Sequence, residues 1–270
     1  MPELPEVETV VRGLRPALMA ARFTRVVVRR PNLRFPLPED LGQRLTGATV
    51  VDIRRRAKHG LIDTDRGDTL IFHLGMSGRF RPFTDPPERH DHVLFEAGET
   101  RLAYHDPRRF GFLLLTPTVD AVFHPMLARL GPEPLGPDFT GDSLAQAGAG
   151  RAAPVKTLLL DQQVVAGIGN IYACEALFQA GIHPATPSGA ITPAGFARLV
   201  AALRTVLADA ITAGGSTLRD HKQVSGESGY FQHNFDVYGR EGKPCSACGQ
   251  PIRRIVQSGR SSFLCASCQH

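Results

Sequence analysis

Four of the five cysteines stand near the end of the chain as Cys245-x-x-Cys248 and Cys265-x-x-Cys268, with sixteen residues between the pairs. Each pair on a tight turn supplies two thiolates, and two pairs make the tetrahedral sulfur set that zinc prefers. Four protein ligands leave no open position, so the metal would be structural rather than catalytic. Ile252–Gln257 and Ser261–Leu264 flank Ser258-Gly259-Arg260, the pattern of a hairpin with Arg260 at its tip. Residues 236–270 carry five Lys/Arg (Arg240, Lys243, Arg253, Arg254, Arg260) against two acids, five minus two or a net +3. A small basic hairpin of this kind can grip phosphate.

Two further features have the chemistry of phosphate contact. Gly167-Ile168-Gly169-Asn170 precedes a helical pattern, but the dinucleotide fingerprint fails because Tyr172 stands where its third glycine belongs. The remaining readings are a glycine turn between helices and a helix N-terminus that holds a backbone phosphate with the help of the Asn170 amide. Arg54-Arg55-Arg56-Ala57-Lys58-His59-Gly60 is a basic run at the end of a strand, a solvated face or a nucleic-acid contact. His90-Asp91-His92 reads as a strand-edge cluster, because no third ligand is spaced to complete a metal site. Nucleophile-elbow, zinc-protease and phosphate-loop motifs do not occur.

The whole chain of 270 residues has 42% hydrophobic and 21% charged residues and a net charge of +5, which excludes wholesale disorder and favours an anionic partner. No stretch approaches the ~20 apolar residues of a membrane span, and the first residues lack the regions of a signal peptide. The expectation is a soluble, cytoplasmic protein without a membrane partner.

These groups need a scaffold. Val7, Val10, Val11, Leu14 and Leu18 form one apolar stripe at helical spacing, with Pro5 suited to the first turn. From Phe23 to Leu115 six short β-rich runs follow (Phe23–Val28, Val50–Ile53, Thr69–Leu74, His92–Glu96, Arg101–Tyr104 and Gly111–Leu115), which predicts a sandwich or barrel. Gly131–Pro137 and Ala147–Gly150 have linker composition. Helices are predicted over Pro154–Gln163, over Asn170–Ala180, and from Pro193 behind a Thr192 cap to Gly214. Gly214–Gly229 is polar and rich in Gly and Ser, the composition of a loop.

The order Met1-Pro2-Glu3-Leu4-Pro5-Glu6, His73-Leu74-Gly75-Met76-Ser77-Gly78, Asp106-Pro107-Arg108-Arg109-Phe110-Gly111, Gly167–Tyr172 and the cysteine tail resembles the formamidopyrimidine-DNA glycosylase family from first residue to last. The resemblance implies an α+β multidomain fold. Its parts would be an N-terminal helix with a β-sandwich (1–131), a helix-two-turn-helix domain (132–235) that includes a lesion loop over 214–231, and a four-cysteine zinc finger (236–270). It implies excision of 8-oxoguanine and formamidopyrimidines from duplex DNA, followed by strand cleavage at the abasic site. The partner would be damaged double-stranded DNA, one structural zinc the sole cofactor, and the protein a monomer.

Residue by residue, the resemblance makes Pro2 the nucleophile once Met1 is removed. Glu3 becomes the acid/base residue, Lys58 a catalytic-site cation and Glu6 an orienting residue. His90, Arg109, Lys156, Asn170, Tyr172 and Arg260 would bind DNA, and Met76, Arg108 and Phe110 would fill the void left by an extruded nucleotide. The chain departs from the family where His221 replaces a usual aromatic and Ser225 a usual aspartate, which bears on base preference. The alternatives are an endonuclease VIII-like enzyme for oxidised pyrimidines, which Leu4 and the Met/Arg/Phe set oppose, and a non-catalytic zinc-stabilised DNA-binding protein, which intact Pro2, Glu3 and Lys58 oppose.

Overall fold

A computed structural model describes residues 2–216 and 229–270. The chain divides into two compact units, 1–128 with 213–230 and 129–212 with 231–270.

The first unit begins with helix α1 (Leu4–Leu18), whose predicted stripe is buried throughout. It packs on a sandwich of two antiparallel sheets, with α2 (Leu41–Leu45) beside β1. One sheet has the order β1 (Arg25–Val28), β6 (Asp91–Ala97), β7 (Thr100–His105), β5 (Arg79–Pro82). The other runs β2 (Val50–Arg56), β3 (His59–Thr64), β4 (Asp68–His73), β8 (Phe112–Pro117). Their inner faces share one core with α1, in which Phe72 of β4 meets Phe80 of β5 edge-on at 4.9 Å between ring centroids. Burial of such rings contributes roughly 1.5–3 kcal/mol each.

Eight strands form where six were expected. Every residue of β3 is buried, so it lacks the alternation that marks a half-exposed strand, and its start lay hidden behind the basic run. β5 is only Arg-Phe-Arg-Pro, at a sheet edge where charge and proline are tolerated.

The second unit holds four helices, α3 (Gly141–Gly148), α4 (Val155–Leu160), α5 (Asn170–Gln179) and α6 (Pro193–Thr212), and a hairpin of β9 (Arg253–Gln257) and β10 (Arg260–Leu264). α3 was not anticipated, because its Ala-Gly end has linker composition. A Thr140–Ser143 capping box starts it. Its glycines admit α6 closely: a Cβ on Gly148 would lie 2.7 Å from the Phe196 ring. Between α4 and α5, Gln162 accepts from the Gly167 N–H at 2.9 Å and donates to the Ile168 carbonyl at 2.9 Å, which shapes the double turn.

Residues 217–228 of the predicted lesion loop, with His221 and Ser225, lie outside the described residues.

A packing test follows from β3. A Cβ on Gly60 would sit 2.0 Å from Cζ of the buried Phe72 ring. Gly60→Ala is expected to destabilise the first unit by about 1–3 kcal/mol, seen as a lower urea midpoint; an unchanged midpoint would contradict this packing.

Candidate active site and nucleic-acid interface

The N-terminal residues are held inward. Pro2 and Glu3 are buried, and Glu3 is the cap residue of α1. The Glu6 carboxylate, 2% exposed, accepts the Glu3 N–H at 2.8 Å through one oxygen. Its other oxygen accepts the Ser216 N–H at 2.8 Å and the Ser216 hydroxyl at 3.0 Å. Gly215 has φ +80°, and a Cβ there would press on Glu6 Cγ at 3.2 Å, so a glycine suits this approach.

Lys58 sits on the two-residue turn between β2 and β3, where Arg56 pairs with His59 and Ala57 takes φ +53°. For a lysine on a turn, 8% exposure is low. The turn is tied to α1: Arg55 donates to Glu8 at 2.9 Å and to the Ala57 carbonyl at 3.0 Å. Burial raises the Glu8 pKa, but the Arg12 and Arg55 guanidiniums outweigh it and hold the carboxyl below its usual range. The basic run is therefore not a uniform phosphate-facing patch. Arg54 pairs with Asp63 at 2.9 Å and Arg55 with Glu8.

A cavity of about 410 Å³ lies in the same unit, lined by Arg34, His73, Gly75, Met76 and Phe110. Met76 is 38% and Phe110 46% exposed, the form in which apolar side chains can enter a base step. Arg108 is also exposed and stacks over the Phe110 ring at 4.8 Å. Structure thus brings the three predicted void-filling residues to one surface. Arg109 is exposed and in the left-handed region at φ +57°, and His90 is half-buried.

His90-Asp91-His92 is no simple edge cluster. Asp91 is buried and accepts from His105 at 2.8 Å and from Arg81 at 3.0 and 3.1 Å. Glu88, Asp91 and His105 bring ligand atoms within 4.8 Å of one another, and the Arg81 guanidinium already occupies both carboxylates, bonding Glu88 at 2.7 Å and Asp91 at 3.0 Å.

In the second unit, Asn170 opens α5 and donates from Nδ2 to the Ser261 carbonyl at 2.8 Å. Arg260, one residue earlier, is exposed beyond a turn in which Ser258 and Gly259 both have positive φ. Phosphate-suited groups of α5 and the hairpin are thereby joined.

Two residues expected to contact DNA are enclosed in the structure. Lys156 is 2% exposed, and its ammonium donates to the Ser261 carbonyl at 3.1 Å and Ser262 Oγ at 2.5 Å, so it braces the hairpin instead of meeting solvent. Tyr172 is fully buried against Phe231, at 5.9 Å between centroids.

The four tail cysteines place their sulfurs within 4.8 Å of one another, with Cys245–Cys268 at 3.9 Å and Cys248–Cys265 at 3.5 Å. A zinc tetrahedron with Zn–S of about 2.3 Å has sulfur edges of about 3.8 Å, so the donor set fits one structural zinc. The fifth cysteine, Cys174, is buried on α5 in the apolar cluster beneath this module. Glu175 beside it accepts the N–H groups of Asp236, Val237 and Tyr238 at 2.7–3.1 Å, and burial raises its pKa.

Three family descriptions match in succession: the formamidopyrimidine-DNA glycosylase N-terminal domain over 1–113, its H2TH domain over 130–222, and a zinc finger found in FPG and IleRS over 242–270. The chain belongs to the formamidopyrimidine-DNA glycosylase family. Relatives of that name from Roseobacter denitrificans and Rhizorhabdus wittichii are 55% and 58% identical over the full length of both chains. The solved MutM (Fpg) protein of Thermus thermophilus is 42% identical with a TM-score of 0.90, covering 99% of this chain and 98% of that one. Lactococcus lactis Fpg, solved in complex with abasic-site DNA, is 33% identical with a TM-score of 0.92 and 99% coverage of both chains.

Sequence reading gave no individual role to several residues of this glycosylase that the structure brings forward, His59, His73, Ser77 and Asp106 among its motifs and Glu175 outside them. Only burial marks them, and burial is a property of the fold. His59 and His73 stack near Phe112, with His73 lying almost parallel to that ring at 5.1 Å. Burial pushes their pKa values down to about 4 and about 3. Both are therefore neutral in the folded state at pH values where the unfolded chain takes up protons.

The sign is fixed by linkage: stability is intact above pH 6.5 and falls as pH drops toward the folded values. For His59 the total loss is about 3 kcal/mol. Wild-type stability should therefore fall more steeply between pH 6.5 and 4 than that of His59→Phe, measured by denaturant unfolding. Equal slopes would show that His59 titrates normally.

Proposed function

We infer that this member of the formamidopyrimidine-DNA glycosylase family excises oxidised purines from duplex DNA and cleaves the strand at the resulting abasic site. The observation that carries the reading is the full-length likeness to Lactococcus lactis Fpg, solved with abasic-site DNA and, as a mutant, with Fapy-dG DNA, at 33% identity, in a chain whose Glu3, next to Pro2, is bonded to Glu6.

Removal of Met1 leaves Pro2 with a secondary amine, whose pKa of roughly 8 keeps a useful fraction neutral near pH 7. Its lone pair attacks the deoxyribose C1′, the glycosidic C1′–N bond breaks with its electron pair leaving on the base, and the proton lost from the attacking nitrogen neutralises the departing base. Glu3 protonates the ring oxygen, the ring opens, and a cationic iminium joins Pro2 to C1′. The iminium acidifies the C2′ proton, so the 3′ phosphate leaves by elimination and the 5′ phosphate follows.

The base must first leave the stack, at a cost of a few kcal/mol. Met76 and Phe110 then occupy the gap, while Arg108 hydrogen-bonds the widowed base. Lys58 faces the phosphates beside the lesion, and Asn170 and Arg260 clamp the backbone. His90 and Arg109 add contacts on the first unit. Zinc bound to Cys245, Cys248, Cys265 and Cys268 supplies folding energy to the hairpin that bears Arg260. All these groups belong to one chain, so a monomer suffices. The working location is the bacterial cytoplasm, where the DNA lies; among the described residues no helix is long and apolar enough to cross a membrane.

Single-turnover excision from an 8-oxoguanine duplex is expected to outpace excision from a thymine-glycol duplex by tenfold or more, on the order of 1.4 kcal/mol of transition-state preference. Faster removal of thymine glycol would assign the chain to oxidised pyrimidines instead.

A further inference from the structure

The three void-filling side chains stand on two separate loops, Met76 between β4 and β5, Arg108 and Phe110 between β7 and β8. Exposed loops wander unless something joins them. Here a buried contact does. Ser77, 4% exposed, donates its hydroxyl to Asp106 Oδ1 at 2.6 Å, and the same Ser77 Oγ accepts the Arg108 N–H at 3.2 Å. Asp106, fully buried, accepts the Gly111 N–H at 2.8 Å through Oδ2. Its carbonyl takes the Arg109 N–H at 3.2 Å and His92 Nε2 at 2.8 Å.

The backbones also touch. Gly75 has φ +61°, and a Cβ there would lie 2.3 Å from both Phe110 C and Gly111 N. Tyr104 donates to the His73 carbonyl at 2.8 Å, at the root of the Met76 loop, and its burial pushes the phenol pKa well up, so it stays a donor. At the apex, Arg109 is held in the left-handed region, which is costly for a residue with a side chain. The bonds to Arg108, Arg109 and Gly111 on either side offset that cost.

We propose that Ser77 and Asp106 are positioning residues that lock Met76 to Arg108 and Phe110, so that the two loops enter the duplex as one wedge. The proposal rests on the void-filling reading of those three side chains. Ser77 is buried, and its hydroxyl is engaged by Asp106 and Arg108, so it acts through the loops on both sides of it. Without its hydroxyl the loops would still fold, but each would have to be ordered separately during extrusion of the base.

The test is a double-mutant cycle on single-turnover excision of 8-oxoguanine, with Ser77→Ala, Phe110→Ala and the pair. Ser77→Ala is expected to slow excision about tenfold, the loss of a buried hydrogen bond. It should slow cleavage of a preformed abasic site, which has no base to extrude, less than threefold. The pair should lose clearly less than the product of the two single losses, since the lock then has only Met76 and Arg108 left to position.

Asp106→Asn, which keeps the shape but loses an acceptor for the Gly111 N–H, provides an independent second cycle with the same expected non-additivity. Multiplicative losses in both cycles, or equal losses on 8-oxoguanine and abasic substrates, would overturn the proposal by showing a merely structural role. If Phe110→Ala itself left excision unchanged, the void-filling reading would fall and the wedge with it.

Discussion

A carboxylate buried under the first turn of α1 governs the rest of the first unit. Glu6 accepts the Glu3 N–H with one oxygen and the Ser216 N–H and hydroxyl with the other. Chain ends ordinarily fray, and an amine on a fraying end would spend little time in attacking geometry. The gain from orienting a nucleophile is large. Glu6 ties Glu3, the cap residue next to Pro2, to the first turn of the helix. It also binds that start to residue 216, more than two hundred positions away in sequence. The helix in turn is fixed by its apolar stripe in the sandwich core and by the Glu8–Arg55 pair next to the Lys58 turn.

The same economy of buried polar contacts recurs around the other functional groups. Ser77 and Asp106 join the loops bearing Met76 and Phe110. Lys156 and Asn170 converge on the Ser261 carbonyl, next to Arg260. In each case a hidden hydrogen bond orders an exposed side chain, which is how a surface group gains position without losing access to its target.

Much of this was legible in the amino-acid order. The stripe of α1, the spacing of the cysteine pairs, the Ser258–Arg260 turn and the Thr192 start of α6 are local patterns, and local patterns survive into the fold. β3 was illegible because burial on both faces erases alternation, and α3 because Ala and Gly at its end resemble a linker. The basic run misled for a related reason: charge is visible in sequence, but Asp63 and Glu8, which neutralise two of its arginines, come close only through sheet pairing and helix packing. Lys156 and Tyr172 show the opposite limit. Resemblance marks them as important, and only the fold shows how far both side chains are enclosed, Lys156 on the Ser261 carbonyl and Tyr172 against Phe231.

The nitrogen of Pro2 is the atom on which this account of the chemistry stands. Borohydride added during reaction with an 8-oxoguanine duplex would reduce an iminium to a stable amine, and proteolysis with mass spectrometry would then locate the modified residue. The account predicts one adduct, on residue 2 of a chain lacking Met1. An adduct on Lys58 or any other lysine, or full activity in a chain that retains Met1, would contradict it.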